Sequence, residues 1–366
     1  MPTRTMLAAM ALAAAAVAAD PPAQVDALMA PWSGTGTPGA AVLVIQNGKA
    51  VHSKGYGMAS LGERRPITAD TSFLLASVTK QFTAMAVMML AEQGKLRYED
   101  TLASFFPEFP AYAGKITVRH LLNHTAGFAE YDTLFEQAGT VRKADYGLPR
   151  KPRADAFEPT VFDVRKILAA QKVPRFAAGE KFEYSNSGYV LLALIVEKVS
   201  GQRFAEVLEQ RIFRPAGMKR SLLYDERRPV VRNRATSYRK ENGGWTEVNY
   251  APSNAVYGED NIYTTMEDLY RWDQALETNK LVTAATFQEA IRPGKLNDGS
   301  ATDYGFGWRL GERAGHKAYF HSGSWLGYRN GILRIPERRL TVVVLSNVAE
   351  FRVGEIAEQI VKMYLP

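Results

Sequence analysis

Apolar positions follow two rhythms along this chain. Residues 39–45 read Gly-Ala-Ala-Val-Leu-Val-Ile, then comes Asn47-Gly48, then a more polar run at 49–54. Two short runs around Asn-Gly predict a tight hairpin, because that dipeptide accepts the positive φ values the turn demands. Residues 330–335 lead through Pro336-Glu337 into Leu-Thr-Val-Val-Val-Leu at 340–345, which predicts a second strand pair. Between the two pairs the period becomes helical. Phe82, Met85 and Val87 to Leu90 predict a buried helix closed by Gly94. Further helices are predicted at 180–200, at 204–213 (stopped by Pro215 and Gly217), at 265–277 with Thr264 or Thr265 as N-cap, and from about 350 to 364. Residues 139–158 are charged, contain proline and are weakly patterned, so they read as a long surface loop or flap. With strands at both ends and helices between, the predicted fold is α+β. An antiparallel sheet drawn from both termini is flanked by helices and carries a mostly helical insertion at roughly 95–255.

The first nineteen residues stand apart. Arg4 precedes a run of alanine, leucine, methionine and valine from Leu7 to Ala19, and Asp20-Pro21-Pro22 follows it. This predicts a secretory signal peptide at 1–19, an exported chain (periplasmic or secreted), and a mature domain at 20–366. The run is too short for a comfortable membrane span, and no later stretch of eighteen apolar residues exists, so no transmembrane anchor is expected. The chain has no cysteine, which excludes disulfides, thiol nucleophiles, zinc–thiolate sites and iron–sulfur clusters. Net charge is +7, and losing Arg4 with the leader leaves +6. The basic residues gather between Arg203 and Lys240 with no aromatic interleaving, so they read as a solvated basic face rather than a nucleic-acid surface.

Candidate chemistry begins at Ser77-Val-Thr-Lys80, where a polar segment becomes an apolar helix. Residues at i and i+3 share a helical face, so the lysine can lie beside the serine and help take its proton. Ser237-Tyr-Arg-Lys240 has the same spacing but reads as a polar strand running into Asn242-Gly243-Gly244, a poor setting for a nucleophile. Tyr184-Ser-Asn186 stands at the mouth of an apolar helix, where a phenol can move a proton and an amide can orient a carbonyl or the lysine. Tyr328-Arg-Asn330 fits the same pattern without that setting. His321-Ser-Gly323, with Ser324 after it, precedes the last strand pair, and a glycine on a strand edge admits close backbone approach. His120 and His124 have a metal-compatible spacing but lack the glutamate of the zinc-protease motif, and no metal or cofactor is expected.

Taken in order, Ser77-x-x-Lys80, Tyr184-x-Asn186 and His321-x-Gly323 resemble the serine β-lactamase-like superfamily. That group includes class C β-lactamases, class C penicillin-binding proteins, D-aminopeptidases and family VIII esterases. The resemblance spans about residues 38–347 and is supported by the segments 71–80, 116–127, 182–189, 213–218 and 323–328. It implies that Ser77 is acylated and that Lys80 and Tyr184 share general-base and general-acid work. Asn186, His321 and Gly323 would then border the substrate, with the amides of Ser77 and Ser324 forming the oxyanion hole. One departure matters. Many relatives carry Lys-Thr-Gly as the third motif, whereas this chain has His-Ser-Gly. A mostly neutral histidine offers a substrate carboxylate one hydrogen bond in place of a fixed cation. The expectation is therefore a peptidase, amidase or esterase. The alternatives are a class C-like β-lactamase or a silent peptidoglycan- or peptide-binding protein of the same fold.

Overall fold

The computed structural model describes residues 20–365. The expected leader at 1–19 lies outside them. The centre is a six-stranded antiparallel sheet made of β1 (Ala40–Gln46), β2 (Lys49–Tyr56), β3 (Arg309–Arg313), β4 (His316–Trp325), β5 (Tyr328–Ile335) and β6 (Leu340–Ser346). Their spatial order is β3-β4-β5-β6-β1-β2, so the first and last strands of the sequence lie side by side. Both predicted strand pairs are present. Asn47 and Gly48 take φ of 52° and 77°, the mirror-image turn expected of Asn-Gly. In β2 the register shifts opposite Val44 and Ile45, which leaves Val51 as a bulge.

Every residue of β6 and all but the last of β1 are buried. The sheet is covered on both faces, which explains continuous apolar runs in place of alternation. Ala41, Leu43, Ile45, Val343 and Leu345 face the larger core, whereas Ala40, Val42, Val44, Val342 and Val344 face a smaller one. The smaller core is capped by α1 (Pro21–Met29) and the terminal helix Val353–Tyr364. The larger core is built around α2 (Lys80–Glu92), α3 (Asn186–Ser200) and α4 (Met266–Glu277). α2 and α3 are buried on nearly all sides, as apolar-all-round helices must be.

Three boundaries differ from the sequence pattern. α3 begins at Asn186 and not near 180, because Ser185 caps it by accepting the Gly188 amide at 3.3 Å. The 204–213 segment is one α turn followed by a π-helical stretch, Leu208–Phe213, closed at Gly217 with φ of 81°. The terminal helix starts at Val353, three residues late. Thr265 is the N-cap of α4, accepting the Asp268 amide at 3.2 Å. Residues 139–158 are loop, with one short turn at Lys143–Asp145 and a single bridge from Leu148 to Tyr250.

Candidate active site

Strand Phe73–Leu74 pairs with Ile262–Thr264, and the Leu75 amide donates to the Ile262 carbonyl at 2.8 Å. The chain then turns sharply. Ala76 adopts φ of 49°, a left-handed conformation that costs a non-glycine residue roughly 1 kcal/mol or more. Its surroundings hold it there, since all of residues 71–80 are buried except Ser77. A 3₁₀ turn, Ala76–Thr79, carries Ser77 into α2, whose first residue is Lys80.

The Lys80 side chain is fully buried. Leaving an ammonium unpaired there would cost several kcal/mol. Its Nζ donates to Ser77 Oγ at 3.0 Å, Asn186 Oδ1 at 2.8 Å and the Glu259 carbonyl at 3.0 Å, and lies 3.4 Å from Glu259 Oε2. Burial works against the charge, but Tyr184, Glu259 and Asp260 together outweigh it, and the group is held above the ordinary lysine value. Glu259 is the partner the sequence pattern did not reveal. It is brought in by Gly258, which has φ of 101°; a methyl group there would sit 2.5 Å from the Tyr189 carbonyl oxygen. Tyr131 donates to the other Glu259 oxygen at 2.8 Å.

Tyr184 and Asn186 arrive at this point on the entry to α3. The Ser185 amide donates to Nδ1 of His124 at 3.0 Å, and the Asn186 amide to Glu130 Oε2 at 3.0 Å. His124 takes φ of 59° and stacks under the Tyr184 ring with centroids 4.2 Å apart. Burial and then the nearby Lys80 charge keep it neutral, far below the usual histidine range. His120 instead accepts the Thr117 amide at 3.1 Å in a helix-capping box. Each histidine of the i, i+4 pair thus has a separate structural task, and among the described residues no cluster of three potential ligands surrounds either. The Tyr184 hydroxyl is buried without a hydrogen-bond partner, and its ring lies 4.9 Å from Lys80 Nζ.

The far wall is β4. Gly323 is backed directly against the Ser77 turn: a methyl group there would meet the Leu75 carbonyl oxygen at 2.1 Å and the Ser77 amide nitrogen at 3.1 Å. Ser324 follows it on the exposed side. His321 is buried, and both of its ring nitrogens meet protein atoms. Nδ1 lies 2.7 Å from the Ser322 carbonyl, which fixes it as the protonated nitrogen, so Nε2 accepts the Tyr304 hydroxyl at 2.9 Å. Burial, with Lys80 nearby, pushes its pKa down to about 3. Both ring nitrogens are thus engaged within the protein. The cation at this end comes from β3. The Arg309 guanidinium stands 5.6 Å from the Tyr184 ring and 5.8 Å from that of Tyr304. No sequence motif pointed to it, because it lies on an edge strand twelve positions before His321.

Acidic groups crowd behind Lys80. Asp260 is pushed well above the usual carboxylate range by burial and by Glu259. Glu130 is also raised, chiefly by burial. Asp132, which accepts the Tyr146 hydroxyl at 2.9 Å, is raised to about 7 by burial and by Glu259.

The serine, lysine, tyrosine and asparagine of the first two motifs are thus assembled around one ammonium, with β4 across from them. The beta-lactamase family model matches residues 23–362 of this chain. The chain belongs to that family. It is a serine hydrolase of the β-lactamase-like superfamily. Penicillin-binding protein 4* of Bacillus subtilis is 34% identical over 322 residues, covering 84% of this chain and 68% of that protein. The D-aminopeptidase of Brucella canis is 26% identical over 313 residues, 85% of this chain but only 56% of the relative's length. Among solved structures, the octameric penicillin-binding protein homologue from Pyrococcus abyssi superposes with a TM-score of 0.77 at 26% identity, covering 93% of this chain and 76% of that one. The D-amino acid amidase from Ochrobactrum anthropi gives 0.76 at 21% identity, covering 94% and 98%, a likeness of fold.

Proposed function

We propose that this chain hydrolyses amide or ester bonds of peptidase, amidase or esterase type through an acyl-enzyme on Ser77. The observation that carries the reading is the Lys80 ammonium, which bridges Ser77 Oγ at 3.0 Å and Asn186 Oδ1 at 2.8 Å. Held as a cation and committed to acceptors, Lys80 orients the serine and has no lone pair with which to take its proton. Tyr184, flanked by Lys80 and Arg309, is the group that receives that proton as Ser77 Oγ bonds to the substrate carbonyl carbon. The carbonyl oxygen becomes an oxyanion facing the amides of Ser77 and Ser324, donors worth a few kcal/mol each. Collapse expels the leaving amine or alcohol, which takes the proton back from Tyr184. A water then attacks the acyl carbon, giving its proton to the same tyrosine oxygen, and Ser77 is released with that proton.

His321 acts in this reading as a strut that holds Tyr304 and the β4 backbone, and Arg309 is the cation that meets a substrate carboxylate. The helical insertion at 95–255 supplies the walls of the pocket. Residues 1–19 direct export; no described helix is long and apolar enough to cross a membrane. The likeness to a D-aminopeptidase and a D-amino acid amidase favours D-amino-acid peptides and amides as first substrates to try.

The test is acylation by a fluorophosphonate, read by intact mass. It is followed by a panel of D-amino-acid amides, D-Ala-D-Ala peptides, p-nitrophenyl esters and nitrocefin. One acyl adduct, mapping to Ser77, with turnover of amides or esters, is expected. Turnover with no adduct on Ser77, or an adduct elsewhere, refutes the assignment. Nitrocefin hydrolysis faster than every ester and amide would replace the reading by a β-lactamase.

A further inference from the structure

Two arginines lie deep in this protein, and they are treated differently. Arg334, nearly inaccessible, is paired with Asp273 at 2.9 Å and Glu277 at 3.3 Å. Arg234, whose charge is also largely buried, pairs with no carboxylate among the described residues; Tyr328 and Tyr224 adjoin it, and the Tyr263 ring lies 5.0 Å from the guanidinium carbon. Neighbouring basic residues do find acids: Arg203 and Arg227 take Asp225, and Arg220 takes Asp70. A buried guanidinium whose neighbours are tyrosines (Tyr328, Tyr263 and Tyr224) and not carboxylates is costly, because desolvation is repaid mainly by hydrogen-bonded anions.

Arg234 faces a cavity of about 200 Å³ between the 139–158 loop and the Phe73–Leu74, Ile262–Thr264 and Leu222–Leu223 sheet. Arg150, Lys151 and Arg228 join it around the rim, against the single carboxylate of Glu158. Glu158 is already consumed by Lys151 at 3.0 Å and by Arg228. A second observation is independent of the charge. Tyr250 also lines the cavity and is 6% exposed; its buried hydroxyl makes no close hydrogen bond, and burial with the Glu158 carboxylate nearby holds it protonated, its pKa raised to about 12. A forked donor and a hydroxyl donor thus meet in one small space with an excess of positive charge, the donor set that oxyanions select.

We propose that this cavity is a binding site for a small oxyanion, a carboxylate or phosphate group, held by the Arg234 guanidinium and the Tyr250 hydroxyl. The same loop that roofs it sets Tyr146 edge-on against Trp325, 6.0 Å between centroids, just beyond Ser324 on β4. An occupied cavity would therefore fix the loop that borders the reaction centre.

The binding arm needs no catalysis, so it stands or falls apart from the hydrolase reading. Inorganic phosphate is titrated calorimetrically into the full chain, Arg234→Met and Tyr250→Phe, against chloride at matched ionic strength. Each substitution removes a charge-assisted hydrogen bond and should weaken phosphate binding about tenfold or more. The source of the anion is read from two p-nitrophenyl esters that differ only in a distal carboxylate against its neutral amide. If the group belongs to substrate, Tyr250→Phe raises KM for the carboxylate ester alone with kcat unchanged. If it is a free anion, the two esters respond alike while phosphate binding still falls. Should Arg234→Met fail to fold, Tyr250→Phe carries both measurements. Phosphate binding no stronger than chloride in the unsubstituted chain, with equal KM responses of the two esters, overturns the proposal.

Discussion

Ser237 is a buried hydroxyl with nothing left to give: it donates to the Val248 carbonyl at 2.6 Å and accepts the Gly327 amide at 3.3 Å. Ser77, three residues before its own lysine, is half-open and faces an ammonium. Ser77→Ala should therefore abolish both turnover and covalent labelling. Ser237→Ala should label normally but melt earlier, since its two buried partners are left unpaired at about 1–3 kcal/mol each; intact mass and calorimetry read the two effects. A label that survives in Ser77→Ala defeats the assignment. Arg309 and His321 separate in the same way. Arg309→Met should lower kcat/KM for carboxylate-bearing substrates about tenfold relative to neutral esters, the worth of one charge-assisted contact. An unchanged ratio would show that no substrate carboxylate reaches it. His321 acts through stability. Its folded pKa of about 3 lies below the ordinary 6.5, so the unfolded chain gains a proton first as pH falls. That contribution is fully present above about 6.5 and is lost towards 3. His321→Gln, which cannot be protonated there, should show a shallower fall in Tm between pH 7 and 5.

At the scale of elements, β4 and the Ser77 turn are a single joint. Gly323→Ala would push a methyl group into the Leu75 carbonyl and move the Ser324 amide off its line, so acylation should slow about a hundredfold, the usual worth of one oxyanion donor. Stopped-flow labelling that is unaffected would mean that the Ser324 amide is not used. This joint also marks how far the sequence can be read. Strand pairs around Asn47-Gly48 and Pro336, and the helix after Ser77, declare themselves through period and turn chemistry, which are local. Ser77, Lys80, Tyr184 and Asn186 were visible as short motifs, and they do converge. Glu259, Tyr131, Arg309 and Tyr304 were not visible, because each reaches the site through a tertiary contact that leaves no periodic trace. Gly258 is the nearest thing to a signal for Glu259, and its positive φ becomes meaningful only once Tyr189 is known to press against it. The surroundings of His321 were hidden for the same reason: nothing local announces that both its nitrogens are bonded within the protein.

The whole molecule stores acidity behind its lysine. Asp132, lifted from 3.8 to about 7, keeps in the folded chain a proton that the unfolded chain releases at lower pH. Its contribution to stability is complete below about 4 and fades as pH rises towards 7. Asp132→Asn, neutral throughout, should narrow the loss of Tm between pH 5 and 8; an unaltered slope would show that the proton sits elsewhere. The sheet carries a different kind of consequence. β1 is wedged between β2 and β6, and the Gly39 amide is tied to Asn347 Oδ1 at 2.8 Å across 308 positions. The same asparagine donates to the Met58 and Thr236 carbonyls. Contacts this distant in sequence are closed late, because the loop entropy must be spent before they repay it. Through most of its synthesis, then, the chain already has its serine and its lysine but not the wall that faces them. The hydrolase comes into being with its last strand, which acts as a clock: a chain ending at Arg339 should bind no fluorophosphonate, however complete its catalytic residues.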